Sequence, residues 1–169
     1  MATCRISYSN IINIMPQFTL HTQIKAPIEI CFDLARSIDL HLETMKHTGE
    51  TAVGGVTSGL INLGETVTWR AKHFGIMMKL TSKITACESP RLFSDIMVKG
   101  PFKSMVHEHI FEQQDDLTLM IDHFYFESPL GILGKVFNKL ILTKYMLALI
   151  ENRNQVIKQQ AERIFIDRD

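Results

Sequence analysis

Cysteine is scarce in this 169-residue chain, and Cys4, Cys31 and Cys87 are odd in number and far apart. That spacing excludes a disulfide framework and a paired-cysteine metal site, leaving the thiols as small hydrophobes for the core. Charge of one sign is missing too, since eighteen basic residues balance eighteen acidic ones. Nucleic-acid binders draw much of their affinity from phosphate neutralisation, so this balance offers that class no support. Long hydrophobic runs are also absent. The nearest candidate, Leu140 to Ile150, contains Lys144 and Tyr145 and falls short of the roughly 18 residues a membrane span requires. Glycines 54, 55, 59 and 64 match no Walker or dinucleotide spacing and are expected to mark turns. There is no nucleophile elbow and no HExxH sequence.

The amino-terminal residues include Arg5 and a short apolar patch from Ile11 to Met15, without a sustained signal-peptide core or a small-residue cleavage site. Residues 1–16 are therefore expected to form a leader or flexible tail, with Met15 as an alternative start. The expected address is cytoplasmic. With 46% hydrophobic and 21% charged residues, residues 17–165 suit one globular domain with a sizeable core.

Phe18, Leu20, Thr22 and Ile24 alternate with polar neighbours, the pattern of a half-buried strand. Ile28, Cys31, Phe32 and Ala35 then recur at helical spacing after Pro27, and Asp39 to Met45 suits a second short helix. Alternation returns from Glu65 to His73, with Val67, Trp69 and Ala71 on one face. It continues through Ile76 to Ala86, Leu92 to Lys99, Phe102 to Glu112 and Leu117 to Phe126, separated by the Ser89-Pro90, Gly100-Pro101 and Asp115-Asp116 turns. Short connections of this kind join antiparallel neighbours.

A long helix is expected from near Leu130 to about Ile164. Its apolar stripe contains Leu133, Phe137, Leu140 and Ile141, then Leu147, Ile150, Ile157 and Ala161. Glu151, Arg153, Asn154, Lys158 and Glu162 are assigned to its wetter sides. Gly131 and Gly134 permit close approach by a neighbouring strand. The predicted architecture is α+β: a curved antiparallel sheet wrapped around a long C-terminal helix, with two short helices after the first strand. A helix laid across such a sheet need not fill the space beneath it, which makes an internal small-molecule cavity the leading functional expectation.

His107 and His109 share one strand face beside Met105 and Phe111, and a hairpin turning near Asp115-Asp116 would bring Asp122 or its neighbour His123 on the next strand towards His109. His73 and Asp95 are further candidates from other strands. Imidazoles beside carboxylates can anchor a polar ligand group, transfer protons, or simply satisfy one another inside a core. His-x-His supplies only two metal ligands, so no metal site is assigned. Arg153 is expected to pair with an acid or to contact ligand, because an isolated buried charge is costly.

The stretches Thr66-Val67-Thr68-Trp69-Arg70-Ala71-Lys72-His73-Phe74-Gly75, Gly100-Pro101-Phe102 and His107-Glu108-His109-Ile110-Phe111 occur in order. Ser128-Pro129-Leu130-Gly131-Ile132-Leu133-Gly134 and Glu151-Asn152-Arg153-Asn154 follow. Together they resemble the START-like, polyketide cyclase/dehydrase (SRPBCC) superfamily, in a bacterial-type branch, over about residues 17–165. The resemblance implies the helix-grip fold and a cavity for lipids, sterols, aromatic polyketides or other apolar molecules. It implies no universal catalytic set, since relatives include cyclases, dehydratases, carriers, sensors and chaperone activators.

The leading expectation is binding or transport of a small hydrophobic or amphipathic ligand. Trp69, Met78, Leu80, Met105, His107, His109, Phe111, Phe137 and Leu140 are the candidate ligand contacts. The alternative is a polyketide cyclase/dehydratase-like enzyme using histidine acid–base chemistry, with His107, His109 and Asp122 as candidates. A third class, a protein-interaction scaffold, would need an exposed apolar surface and no internal void. No cofactor, nucleic-acid partner or integral membrane segment is expected, and the oligomeric state stays open.

Overall fold

The computed structural model describes residues 17–128 and 141–167. Seven antiparallel strands form one sheet: β1 (Gln17–Ile24), β2 (Thr51–Gly55), β3 (Thr66–His73), β4 (Ile76–Glu88), β5 (Leu92–Lys99), β6 (Ser104–Gln114) and β7 (Leu117–Glu127). Their spatial order is β1-β7-β6-β5-β4-β3-β2, so consecutive strands from β2 to β7 are neighbours and the first strand returns to pair with the last. The sheet curves around α3 (Thr143–Ile166), while α1 (Ile28–Ala35) and α2 (Ile38–Thr44) follow β1. This is the helix-grip architecture expected from the residue pattern. The proposed beginning of the long helix near Leu130, its Gly131 and Gly134, and the candidate contacts Phe137 and Leu140 lie outside the described residues.

Curvature has identifiable causes. Register shifts occur in the β4–β5 ladder between Thr81 and Ser82 and between Ile84 and Ala86, and such bulges bend a strand while increasing its twist. A third shift lies between Ala52 and Gly54, where β2 pairs with β3. The sequence assigns Gly54 and Gly55 to a turn, but both belong to edge strand β2. Gly55 has φ +70°, and a Cβ there would lie 2.0 Å from the Thr66 carbonyl oxygen. Only glycine accepts that backbone conformation and that close approach without displacement.

Local signals set the short helices. Pro27 immediately precedes α1, whose buried face is Cys31, Phe32 and Ala35. The Ser37 hydroxyl accepts from the Leu40 N–H at 3.2 Å and caps α2, satisfying one of the donors left open in a first helical turn. Two apolar clusters result. One joins α1, β3 and β4 through residues such as Phe32, Trp69 and Ile84; the other gathers Met105, Phe124, Phe126, Leu142 and Ile150. Leu80 packs against both.

Candidate functional site

A cavity of about 550 Å³ has walls contributed by both clusters, including Trp69, Ile84, Met105 and Ile150. That volume falls within the usual range for small-molecule sites. Alternation on β3 and β4 places Trp69, Met78 and Leu80 on its wall, and β6 contributes Met105, His107 and His109. Phe111 does not join them: it is buried edge-on against Phe32 in the core beneath α1, with ring centroids 5.6 Å apart.

The polar centre follows from strand register. His109 is paired with Asp122 across β6 and β7, while His107 is paired with Asp95 across β5 and β6. Asp122 has no solvent exposure and sits behind the imidazoles. Its Oδ1 accepts from His107 Nε2 at 3.0 Å. The same oxygen lies 2.7 Å from His109 Nδ1 but out of line for a well-formed hydrogen bond. Oδ2 accepts from Asn154 Nδ2 at 2.6 Å, and that amide also lies 3.2 Å from Thr22 Oγ1. The two imidazole centroids are 3.8 Å apart, and His109 stacks on Phe93 at 4.1 Å.

Burial pushes Asp122 upward, but the hydrogen bond from His107 and the contact with His109 overcome it and hold the carboxyl well below its ordinary range. Asp122 is therefore an anion in the core. Burial and the neighbouring His107 pull His109 down to about 3, against the opposing effect of Asp122, so that ring is neutral near pH 7. Asp95 is pushed up by burial, opposed by His107 and Arg153. Its Oδ1 stands 3.9 Å from His109 Nε2.

His73 does not converge with this cluster. Its Nδ1 lies 2.7 Å from the Tyr145 hydroxyl, although both residues line the same cavity. His123 projects to the opposite face and meets Thr19 Oγ1 at 2.9 Å. Arg153 and Asn154, assigned to the wet sides of the helix, are buried instead. Arg153 donates to the Ala35 carbonyl rather than pairing directly with an acid, and its charge is felt by Asp122 and Asp95. Asn154 lies four residues after Ile150 and three before Ile157, on the stripe that faces the sheet; spacing marks it where residue type does not.

The sequence also left His41, Glu50 and Tyr145 out of the site. His41 Nε2 lies 2.6 Å from Glu50 Oε1, and its ring stacks on Trp69 at 4.2 Å. His41, Glu50 and Tyr145 all line the cavity. The 38, 41, 45 spacing places His41 on the inward face of the α2 segment with Ile38 and Met45, both buried. Glu50 lies just before the strand that the glycine pattern concealed.

No family model matches the chain, and a search of curated proteins finds no relative. Solved structures do match. The chain has the helix-grip fold. A Thermus thermophilus protein is similar at 17% identity and TM-score 0.70, covering 86% of this chain and 97% of that one. The Zhui aromatase/cyclase of a Streptomyces species is similar at 14% identity and TM-score 0.71, covering 88% and 94%. Ginseng major latex-like protein 151 gives 17% identity and TM-score 0.64, covering 88% and 98%. At these identities the likeness is one of fold.

Proposed function

We propose that this helix-grip protein is a cyclase- or dehydratase-type enzyme acting on a small apolar or amphipathic substrate held in the cavity. The observation that carries this reading is the ionised Asp122 buried behind two imidazoles on the cavity wall. Taking a carboxylate out of water costs several kcal/mol before its partners offset it, at about the scale expected for a buried ion. An apolar carrier needs no such arrangement, whereas a proton-transfer site does.

His107 is the base in this scheme. Its Nε2–H is committed to Asp122, leaving Nδ1 as the acceptor. Asp122 fixes that tautomer and stabilises the charge the ring gains with a proton. In a dehydration, Nδ1 takes the proton from the carbon beside a substrate carbonyl. A carbon–carbon double bond forms, the β carbon–oxygen bond breaks, and the hydroxyl leaves as water after receiving a proton. Asp95, held towards its protonated form by burial, can supply that proton, and the proton on His107 then resets the pair. His109 stays neutral and orients the substrate oxygen. Trp69, Met78, Leu80 and Met105 supply apolar contact, at about 25 cal/mol per Å² of buried area before ordering costs.

The Streptomyces aromatase/cyclase shares the fold and lends this chemistry support by analogy. A bacterial-type branch is the corresponding family placement. The mostly apolar wall favours the second reading, a carrier for the same ligand class. Incubation with a β-aryl-β-hydroxy ketone separates the two, because dehydration gives a conjugated enone with strong ultraviolet absorbance. The enzyme reading predicts enone formation that falls by about 100-fold or more in His107→Gln, the usual scale of a lost general base. Binding of the ketone with no enone formation above that variant's rate would contradict the enzyme reading and leave the carrier.

A further inference from the structure

We infer that Asp95, His107 and His109 form a binding site for a divalent first-row transition-metal ion of the zinc class. The site shares side chains with the proposed acid–base centre but does not rest on proton transfer there. One donor atom from each residue lies within 4.8 Å of the others. The arrangement is built into the sheet: Asp95 and His107 are cross-strand partners, and His109 is two residues along on the same inward face.

The nitrogen assignments favour metal binding. His107 gives Nε2–H to Asp122, so its Nδ1 holds a free lone pair. His109 turns Nδ1 to the same carboxylate, which leaves Nε2 facing Asp95 Oδ1 at 3.9 Å. That separation is too long for a hydrogen bond, and it sets a nitrogen lone pair facing a carboxyl oxygen with nothing between them that bonds both. A metal ion that displaces the proton from Asp95 bridges the two. Arg153 does not bridge them, because its guanidinium is directed to the Ala35 carbonyl.

Asp122 supplies the support that metal-binding histidines require. A ligating imidazole almost always gives its other nitrogen to a carboxylate or carbonyl, which fixes tautomer and ring orientation. Here one carboxylate oxygen accepts from His107 and lies 2.7 Å from His109 Nδ1, and Asn154 holds the second oxygen. Metal–donor bonds of about 2.0–2.2 Å place tetrahedral neighbours roughly 3.4 Å apart. The 3.9 Å pair is close to that spacing, and with all donors within 4.8 Å the remaining closure is at most about 1.4 Å. Two imidazoles and one carboxylate suit a borderline ion, with a further coordination position left for water or ligand. Arg153 opposes a cation, but Asp122 and Asp95, which gives up its proton when it ligates a metal, together outweigh that single charge.

The test uses the full chain after chelator treatment, titrated with zinc chloride by calorimetry, with cobalt(II) absorbance as a second readout. One zinc per chain is expected, together with a cobalt spectrum stronger than that of the hexaaqua ion. Asp95→Asn and His109→Gln should each weaken zinc binding by at least about tenfold, and Asp122→Asn by about 10–100-fold as a supporting-carboxylate change. His123→Gln, on the other sheet face, should leave it unchanged. Thermal melts identify which variants are folded, and the conservative Asp95→Asn change provides a second route if His109→Gln is not. Absence of stoichiometric binding, or binding indifferent to both Asp95→Asn and His109→Gln in folded protein, would overturn the site. Enone formation by the chelator-treated protein tests the acid–base reading separately.

Discussion

A carboxylate withdrawn from water must recover its lost solvation from fixed partners, and Asp122 finds them in His107, Asn154 and the adjacent His109. Asp122→Asn removes the charge and turns an acceptor into a donor among groups that already donate. We expect it to lower unfolding free energy by about 2–3 kcal/mol, the scale of a lost charged hydrogen bond; urea denaturation measures this directly. Acidity probes the same centre. His109 is held at about 3 in the folded protein, against roughly 6.5 unfolded. Between those values the unfolded chain binds a proton that the folded chain refuses, so stability falls as pH is lowered through that interval. The Asp122 contribution is present above its unfolded value of about 3.9 and is lost as pH falls through its lower folded value. Asp95 opposes these effects: its raised folded pKa weakens the fold as pH rises above about 3.9. The informative quantity is therefore a difference. Urea unfolding of wild type should lose up to about 1.4 kcal/mol per pH unit more than His109→Gln on acidification from about pH 6.5. Parallel slopes would contradict the neutral buried imidazole.

Among the elements, alternating strands were the most legible. Phe18 to Ile24 and Val67 to Ala71 announce their buried faces by a period of two, and both occupy strands with those faces inward. β2 was hidden because its chemistry is that of a turn. Gly54 and Gly55 serve a bulge and a close crossing with Thr66 rather than a chain reversal, and no residue-type preference distinguishes those uses. Gly55→Ala should cost about 2 kcal/mol or more by forcing a side chain into positive φ and onto a carbonyl. A melting temperature unchanged from wild type would show that the crossing is not required. Periodicity placed Ile150, Ile157 and Ala161 of α3 on its buried face, but Ile141, assigned to the same stripe, is exposed, and polarity misplaced Arg153 and Asn154 on the wet side. Their polar atoms are satisfied by Ala35 and by Asp122 with Thr22, partners supplied only by tertiary packing. The His107/His109/Asp122 grouping was legible because adjacent strands brought it together. Its link to Asp95 depended on the β5–β6 register, and no single strand reveals that.

For the whole molecule, the consequence of two apolar clusters is a space between them. Among the described residues, no helix is long and apolar enough to cross a membrane. Leu80 touches both clusters and also lines the cavity. In a filled core, Leu80→Phe would cost about 1–3 kcal/mol through overpacking. Directed into a cavity of about 550 Å³, the larger ring should leave stability within about 0.5 kcal/mol of wild type. It should also weaken binding of an apolar aryl ketone, followed by quenching of Trp69, the only tryptophan. Marked destabilisation together with undiminished ketone binding would contradict a ligand space at this position.

The most direct measurement is exchange of the α-protons of that aryl ketone in deuterium oxide, followed by NMR with the chelator-treated protein. It requires proton removal and return but no leaving group, so it isolates the step assigned to His107. The account predicts exchange catalysed by wild type and reduced by about 100-fold or more in His107→Gln, while both proteins still show Trp69 quenching. Equal exchange in the two proteins, with quenching proving that the ketone is bound, would contradict proton transfer by this cluster.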